Sequence, residues 1–534
     1  MPFYGPHMAS SFHLIDWIIV AVYLASMAAV GLYFSRKQTT LSQYLLAERS
    51  MGWLPVGLSL MAALNSGMDY LMQPSATIRY GAVLVVGITS WLFLYPWVAK
   101  VAFPFFHRLN VFTVYEYLEA RFDVRVRTLA AMIFILWRLG WMATAMYVPS
   151  LAINAASGGE VDLNTMTIIV GVLVTAYTML GGIQAVIWND VVQFCIMFGG
   201  LAATVGIVWW SVPGGLGEIW DVAAAAGKLD LWPPLVDAGT IGLAAQIQSF
   251  FHQPMNLVTL MVALIVGRMA QYTSDQVMVQ RLQTTRTVKE ARRAFVVNAA
   301  GDALWMIGLS FVGLALFAYF QRHALPAEFQ TDKLLPYFMS LAFPVGAVGL
   351  VIAAIMAASL SSIDSAINSC TSVAVVDLYN RVWKGRDVRA VGRSAAEERA
   401  QVRVSRVATV LFGALGTLLA CNVSRIGTLL EINAKVVNAF TGPLFGIFLL
   451  AMFNGRARSE GVLAAGVAGA FTAYYVAYHT TIGFMWPSTF GLAATLAAGY
   501  LLTLLSPAPA LSKGHDLTWW KVMARPDSPL HGEV

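Results

Sequence analysis

The sequence predicts an all-α polytopic membrane protein of about thirteen transmembrane helices. Three observations lead there. Of the 534 residues, 58% are hydrophobic and only 12% charged, with a mean hydropathy of +0.67; a soluble chain carries about 25% charged residues. Apolar runs of about 20 residues, the length that crosses a bilayer core, recur from end to end. The basic residues fall mainly in alternate connections between those runs. The net charge of +6 therefore says nothing about nucleic acid. Cys195, Cys370 and Cys421 lie in or beside apolar runs, with no disulfide or metal spacing.

In order, the candidate crossings are 14–33, 55–78, 82–106, 128–155, 165–180, 184–210, 253–277, 295–320, 337–376, 404–423, 427–453, 461–480 and 488–505. The first is too long for a signal h-region and no A-x-A site follows it, so it reads as a retained helix. The ninth is long enough to bend or to include an outer helix. With the N-terminus outside, residues 34–54, 98–128, 272–294, 377–406, 453–460 and the tail face the cytoplasm and hold 26 of the 34 Lys and Arg. The opposite segments hold Arg79, Lys228, Arg322, Lys333 and Arg425. This bias is the positive-inside pattern and predicts a chain in the cell (inner) membrane with its N-terminus out and its C-terminus in.

Arg138, Arg268 and Lys435 remain inside runs, and Asp16, Asp69, Asp190, Asp302, Asp364 and Glu431 lie inside or at the edges of runs. An acid at the bilayer centre costs about 2.5–3.5 kcal/mol on insertion scales, so this many charges mark a pathway rather than a passive anchor. Glu431 and Lys435 are an i, i+4 pair and read as structural. Helix breakers add a second signal. The second run reads SLMAALNSGMDYLMQPS, with Asn65, Ser66 and Gly67 near mid-membrane and Pro74 beyond. Unwound backbone at that depth is tolerated where it lines a cavity. The seventh run has His252, Gln253 and Pro254 at its outer end and Gly267 and Arg268 within. Two interrupted helices five crossings apart match the inverted-repeat pattern of secondary transporters. The division that follows is a leading helix with its inner loop in 1–50, a first five-helix repeat in 51–210, a second in 211–455, and two added helices with a tail in 456–534.

A third signal is the stretch AASLSSIDSAINSCTS, Ala357 to Ser372, in the middle of an apolar run. Ser361, Asp364, Ser365, Asn368 and Ser372 sit at steps of three and four and share one helix face. Three stretches together resemble the sodium/solute symporter family, with some features like its sialic-acid members. They are GGIQAVIWNDVVQ (Gly181 to Gln193), TSDQVMVQR (Thr273 to Arg281) followed by the basic KEARRA, and SLSSIDSAINSCTSVAVVDLYNR (Ser359 to Arg381). The resemblance runs from Ile15 to about Phe453. Asn189 departs from the family's usual Thr, and Asp364 stands where many members are neutral.

The resemblance implies a five-plus-five core with broken first and sixth core helices, and sodium as coupling ion with no other cofactor. Sodium is a hard cation that takes carbonyl, hydroxyl and carboxylate oxygens. The family's main sodium site, laid on this chain, uses the carbonyls of Ala62, Asn65 and Ala358 and the hydroxyls of Ser361 and Ser362. A second ion or proton site, as in the sialic-acid symporters, falls on Asp190, Ser361, Asp364 and Ser365. Small polar residues also let helices pack closely, and Asp364 could instead pair with an Arg. Solute contacts map to Asp69, Arg268 and Asp302, and Arg138 resembles the Arg that holds a sialic-acid carboxylate; the alternative is that Asp69, Asp302 or Asp364 neutralises Arg138 and Arg268 and neither touches solute. Arg is the side chain suited to bidentate carboxylate recognition. The neutral GITSW on the second core helix stands where a sugar-binding member has a carboxylate. Trp137, Trp141 and Tyr147 are candidates for gating, with plain lipid or core packing as the more ordinary role of any one of them.

The reading is a symporter, not an enzyme, that imports a small, carboxylate-bearing organic solute with sodium by alternating access. No nucleotide motif is present. A proton-coupled transporter of the same fold and a transporter-like sensor remain alternatives; the short tail argues against the sensor. Solute, sodium and the bilayer are the expected partners, with no nucleic acid and no obligate protein partner.

Overall fold

Apolar runs become helices because a backbone in lipid must satisfy its own hydrogen bonds. The computed structural model describes residues 12–35, 40–109, 111–237, 239–323, 325, 333–386, 395–423, 438–505 and 514–525. Among these no strand forms; an isolated bridge joins Met51 to Thr285. The principal helices are α1 (Leu14–Ser35), α2 (Trp53–Leu64), α3 (Gly67–Tyr80), α4 (Val83–Leu109), α5 (Val124–Ala156), α6 (Leu163–Ser211) and α7 (Leu257–Ser274). They continue as α8 (Gln276–Gln283), α9 (Val288–Arg322), α10 (Ala347–Trp383), α11 (Ala395–Ala420), α12 (Asn438–Phe453), α13 (Ser459–His479) and α14 (Pro487–Leu505). Among the described residues, ten helices are long and apolar enough to cross a membrane.

The expected runs map onto these helices, with a correction in the seventh. The fifth and sixth runs are two helices that follow each other without a loop, together α6, and meet at a sharp kink at Gly182, φ +58°. Only glycine suits that backbone, and a Cβ there would press on the Tyr44 carbonyl at 2.8 Å. The ninth run divides into a short helix, Leu334–Ala342, and α10, separated at Pro344 and at Gly346, whose φ is +87°. The seventh run is not interrupted at Gly267, which lies in unbroken α7; its outer His252 ends a separate helix, Leu243–His252. The interruption falls at Asp275, between α7 and α8. Of the eleventh run only α12 is described, and Glu431 and Lys435 lie outside the described residues.

The helix carrying the polar stripe is the axis of the fold. In α10, 89% of the apolar stretch is buried, against 22% in α14, so α10 is enclosed by protein while α14 faces outward. Its main neighbours are α6 and α5, followed by α1, α11, α2 and α3. In lipid no hydrophobic force drives helices together, so close packing and polar contacts must. Gly349 meets the Asp16 backbone, and the Asp16 carboxylate accepts the N–H groups of Gly346 (3.0 Å) and Gly349 (2.6 Å), capping α10.

Candidate ion and solute site

The break between α2 and α3 is built by its own sequence. Asn65 and Ser66 are extended, with φ −100° and −104°. Ser66 Oγ then accepts the Met68 N–H (3.2 Å), and the Asp69 carboxylate accepts the Ser66 N–H (2.7 Å), which starts α3 afresh. The last turn of α2 leaves carbonyls without helical partners, at the negative end of the helix dipole. α10 crosses that end. Its approach requires Gly67, where a Cβ would meet the Ile355 carbonyl at 2.6 Å. Ser361 Oγ lies between the carbonyls of Ala62 (2.8 Å) and Ala358 (2.9 Å), and Ser362 Oγ faces that of Ala63 (3.4 Å). Asn65 is buried beside this group but turns its amide back to Met61 O (3.1 Å). The result is a buried, uncharged set of oxygens, a donor type that suits sodium.

One turn further along α10 the chemistry changes. Asp190, on α6, accepts from Ser59 Oγ (2.5 Å) and pairs with Arg281 of α8 (3.1 Å). Arg281 also donates to Ser59 (2.9 Å), to the Val277 carbonyl (3.1 Å) and to Ser365. Ser365 in turn reaches Asp364 (3.3 Å) and the Ser361 carbonyl, and Tyr177 donates to Asp364 (3.1 Å). All these side chains are buried. Two carboxylates face one guanidinium, so the group is one positive charge short of neutrality when both acids are ionised. Among the described residues, Asp190 Oδ1, Thr178 Oγ1, Gln193 Oε1 and both amide atoms of Asn189 have no hydrogen-bond partner.

Two further arginines are buried with acids. Arg268 on α7 pairs with Asp302 on α9 (2.7 Å), donates to Ser90 (2.8 Å) and lies 4.3 Å from the centre of the Trp91 ring. The Trp91 indole also donates to Asp302 (2.7 Å), so the neutral GITSW stretch supplies partners to both charges. Arg138 on α5 stacks 4.5 Å from the Trp137 ring and engages both oxygens of Asp275. Trp137 thus supports an arginine, while the indole N–H groups of Trp137 and Trp141 have no partner among the described residues. Asp69 serves α3 as a cap.

The family model for the sodium:solute symporter family matches residues 44–469. The chain belongs to that family. The symporter is 30% identical over 512 residues to the sodium/sialic acid symporter SiaT of Proteus mirabilis, covering 94% of this chain and 97% of the relative. It is 32% identical over 526 residues to the sodium-dependent multivitamin transporter of Oryctolagus cuniculus, covering 95% of this chain and 78% of the relative. A solved Na+-coupled sialic acid symporter, substrate-bound and outward-open with a novel Na+ site, superposes with a TM-score of 0.81. That structure shares 28% identity and covers 94% of this chain and 100% of its own.

Sequence reasoning about the symporter missed Arg281, Asp275, Ser59 and Tyr177. Arg281 closes the TSDQVMVQR stretch but was counted with a cytoplasmic loop, because α8 is short and polar; it is fully buried. At the Arg-rich end of the bundle a separate network forms. Arg127 joins Asp377 (2.6 Å) to Glu119 (2.8 Å), and Arg381 donates to Glu119 (2.6 Å). Glu119 lies on the connecting helix Val114–Arg121, so this network fastens that helix to the end of α10.

Proposed function

We propose that this symporter imports a small, carboxylate-bearing organic solute with sodium, by alternating access in an inner membrane, N-terminus out and C-terminus in. Sodium binds at Ala62, Asn65, Ala358, Ser361 and Ser362. A second cation or a proton binds at Asp190, Ser361, Asp364 and Ser365. The solute contacts Asp69, Arg138, Arg268 and Asp302. The alternation is a movement of two five-helix repeats, 51–210 and 211–455, against each other.

The observation that carries the carboxylate reading is Arg138, buried and held on both oxygens by a carboxylate. A planar fork used this way recognises carboxylates rather than hydroxyls. The sialic acid named for the relative bears such a group. At about 2.3 kcal/mol per charge per 100 mV, one inward sodium adds drive from voltage alone. The test is uptake into proteoliposomes of sialic acid, lactate, biotin and glucose, with and without a sodium gradient. Sodium-dependent uptake of a carboxylate and not of glucose supports the reading; uptake of glucose alone defeats it.

The proton reading rests on one feature, the missing positive charge at Asp190, Asp364 and Arg281. Two carboxylates this close do not both stay charged without a cation between them. Sodium or a proton completes the neutrality, and the pH dependence of uptake distinguishes the two.

A further inference from the structure

Asp275 stands at the joint between α7 and α8, with φ −95° and ψ 113°, and its carboxylate has two partners of different kinds. One oxygen accepts the Val277 N–H (2.9 Å) and caps α8. The same carboxylate fills the fork of Arg138 with both oxygens. Both side chains are enclosed. Tyr115 fixes the residue before the joint by donating to the Ser274 carbonyl (2.8 Å). A cap needs only one oxygen, and it works with Asp, Asn or Ser. The full charge and the bidentate grip on Arg138 are therefore surplus to capping.

We propose that Asp275 is a built-in stand-in for the solute's carboxylate, occupying Arg138 until the solute displaces it. This rests on the reading of Arg138 as the solute's carboxylate anchor and adds the residue that competes for it. A displaced Asp275 keeps the Val277 N–H and the positive end of the α8 dipole, so its charge is not stranded. It then no longer ties α8 to α5, and solute arrival frees the α7–α8 joint to turn. Asp275 thus sets the affinity for carboxylates and couples their binding to helix movement. It also keeps Arg138 paired in the solute-free protein, where an unpaired buried guanidinium would destabilise the fold.

The test uses the full chain, purified in sodium-containing detergent and titrated with sialic acid and, separately, with acetate as the smallest carboxylate. Asp275→Asn keeps a capping oxygen and removes the competitor. It should bind both probes about tenfold more tightly than the unmodified chain, because the binding-competent fraction rises, with sodium affinity unchanged. Asp275→Ser, a second capping residue, should do the same. A further measurement needs no variant: in the unmodified chain, sialic acid should raise hydrogen exchange at the α7–α8 joint, and no rise overturns the proposal. In proteoliposomes the variants should show a lower KM together with a lower kcat, since the joint has lost its latch. Variants that bind both probes no better than the unmodified chain overturn the proposal, whether through loss of binding or through no change. Failure of the underlying reading looks different: Arg138→Gln would then bind sialic acid as well as the unmodified chain does.

Discussion

Ser361–Ser362 and Asp364–Ser365 lie one turn apart on α10, yet they handle charge in opposite ways. The first pair meets backbone carbonyls at the end of α2 and contributes no formal charge. The second lies within a group of two acids and a guanidinium. A cation entering the first site supplies the whole of its positive charge. The second site already contains one of the two positive charges it needs, and lacks the other. On the proposed assignment, the stripe is two devices. One, being uncharged, would leave no ionised group unpaired in the protein interior when empty. The other is held together by charge and cannot lose a member cheaply.

The largest effect should come from removing the resident cation of the charged site. Arg281→Gln leaves Asp190 and Asp364 facing each other in a buried setting, and breaking a buried pair costs about 3–5 kcal/mol. Membrane yield and Tm of the purified protein should both fall sharply. Adding Asp190→Asn should restore part of the loss. An Arg281→Gln protein as stable as the unmodified one would contradict the picture of a charge-built site.

How far this was readable in the sequence depends on the range of each interaction. The crossings were legible because an apolar run is a local property, and so was the Asn65–Ser66 break, where poor helix formers cluster. The Ser361–Ser365 face was legible from helical spacing. The Asp275 break was not, because no Gly or Pro marks it; capping by Asp275 and the grip of Arg138 make it. The partners of Arg138 and Asp190 lie 137 and 91 residues away, beyond any local pattern. Arg281 was misplaced for a related reason. A polar eight-residue helix reads like a loop until the surrounding helices close over it.

The neutral site gives the next effect. Ser361→Ala and Ser362→Ala each remove an oxygen that a cation would use, and a hydrogen-bond-strength contact to a charged group is worth about 1.5–3 kcal/mol. Each variant should raise the sodium concentration for half-maximal uptake by about tenfold or more, with normal membrane insertion. Unchanged sodium dependence in both would remove the ion assignment.

Asp364→Asn tests what fills the missing charge. It keeps the size and cancels the deficit, because Asp190 and Arg281 then balance. If a second sodium binds there, the sodium Hill coefficient of uptake should fall toward one. If a proton binds there, the pH profile of uptake should flatten instead. Uptake measured against sodium at several pH values reads both at once. A variant that changes neither would mean that Asp364 is only a packing partner of Tyr177.

The smallest effect should come from Glu119, which repeats the carboxylate–guanidinium chemistry where burial is incomplete. Its side chain is 17% exposed and that of Arg381 is 37% exposed, whereas Asp190 and Arg281 are at 0%. Burial pushes the Glu119 pKa up, but hydrogen bonds from Arg381 and Arg127 outweigh it and hold the carboxyl below its usual range. A depressed folded-state pKa gives stability that is present above the unfolded value, about 4.3 for Glu. That stability is lost as pH falls from there through the folded value. Glu119→Gln should therefore lower stability near neutrality by no more than about 1 kcal/mol, the scale of a solvent-accessible pair. Tm curves of variant and unmodified protein should converge as the pH drops below about 4.3. If Glu119→Gln instead proved as damaging as Arg281→Gln, burial would not be what separates the two networks.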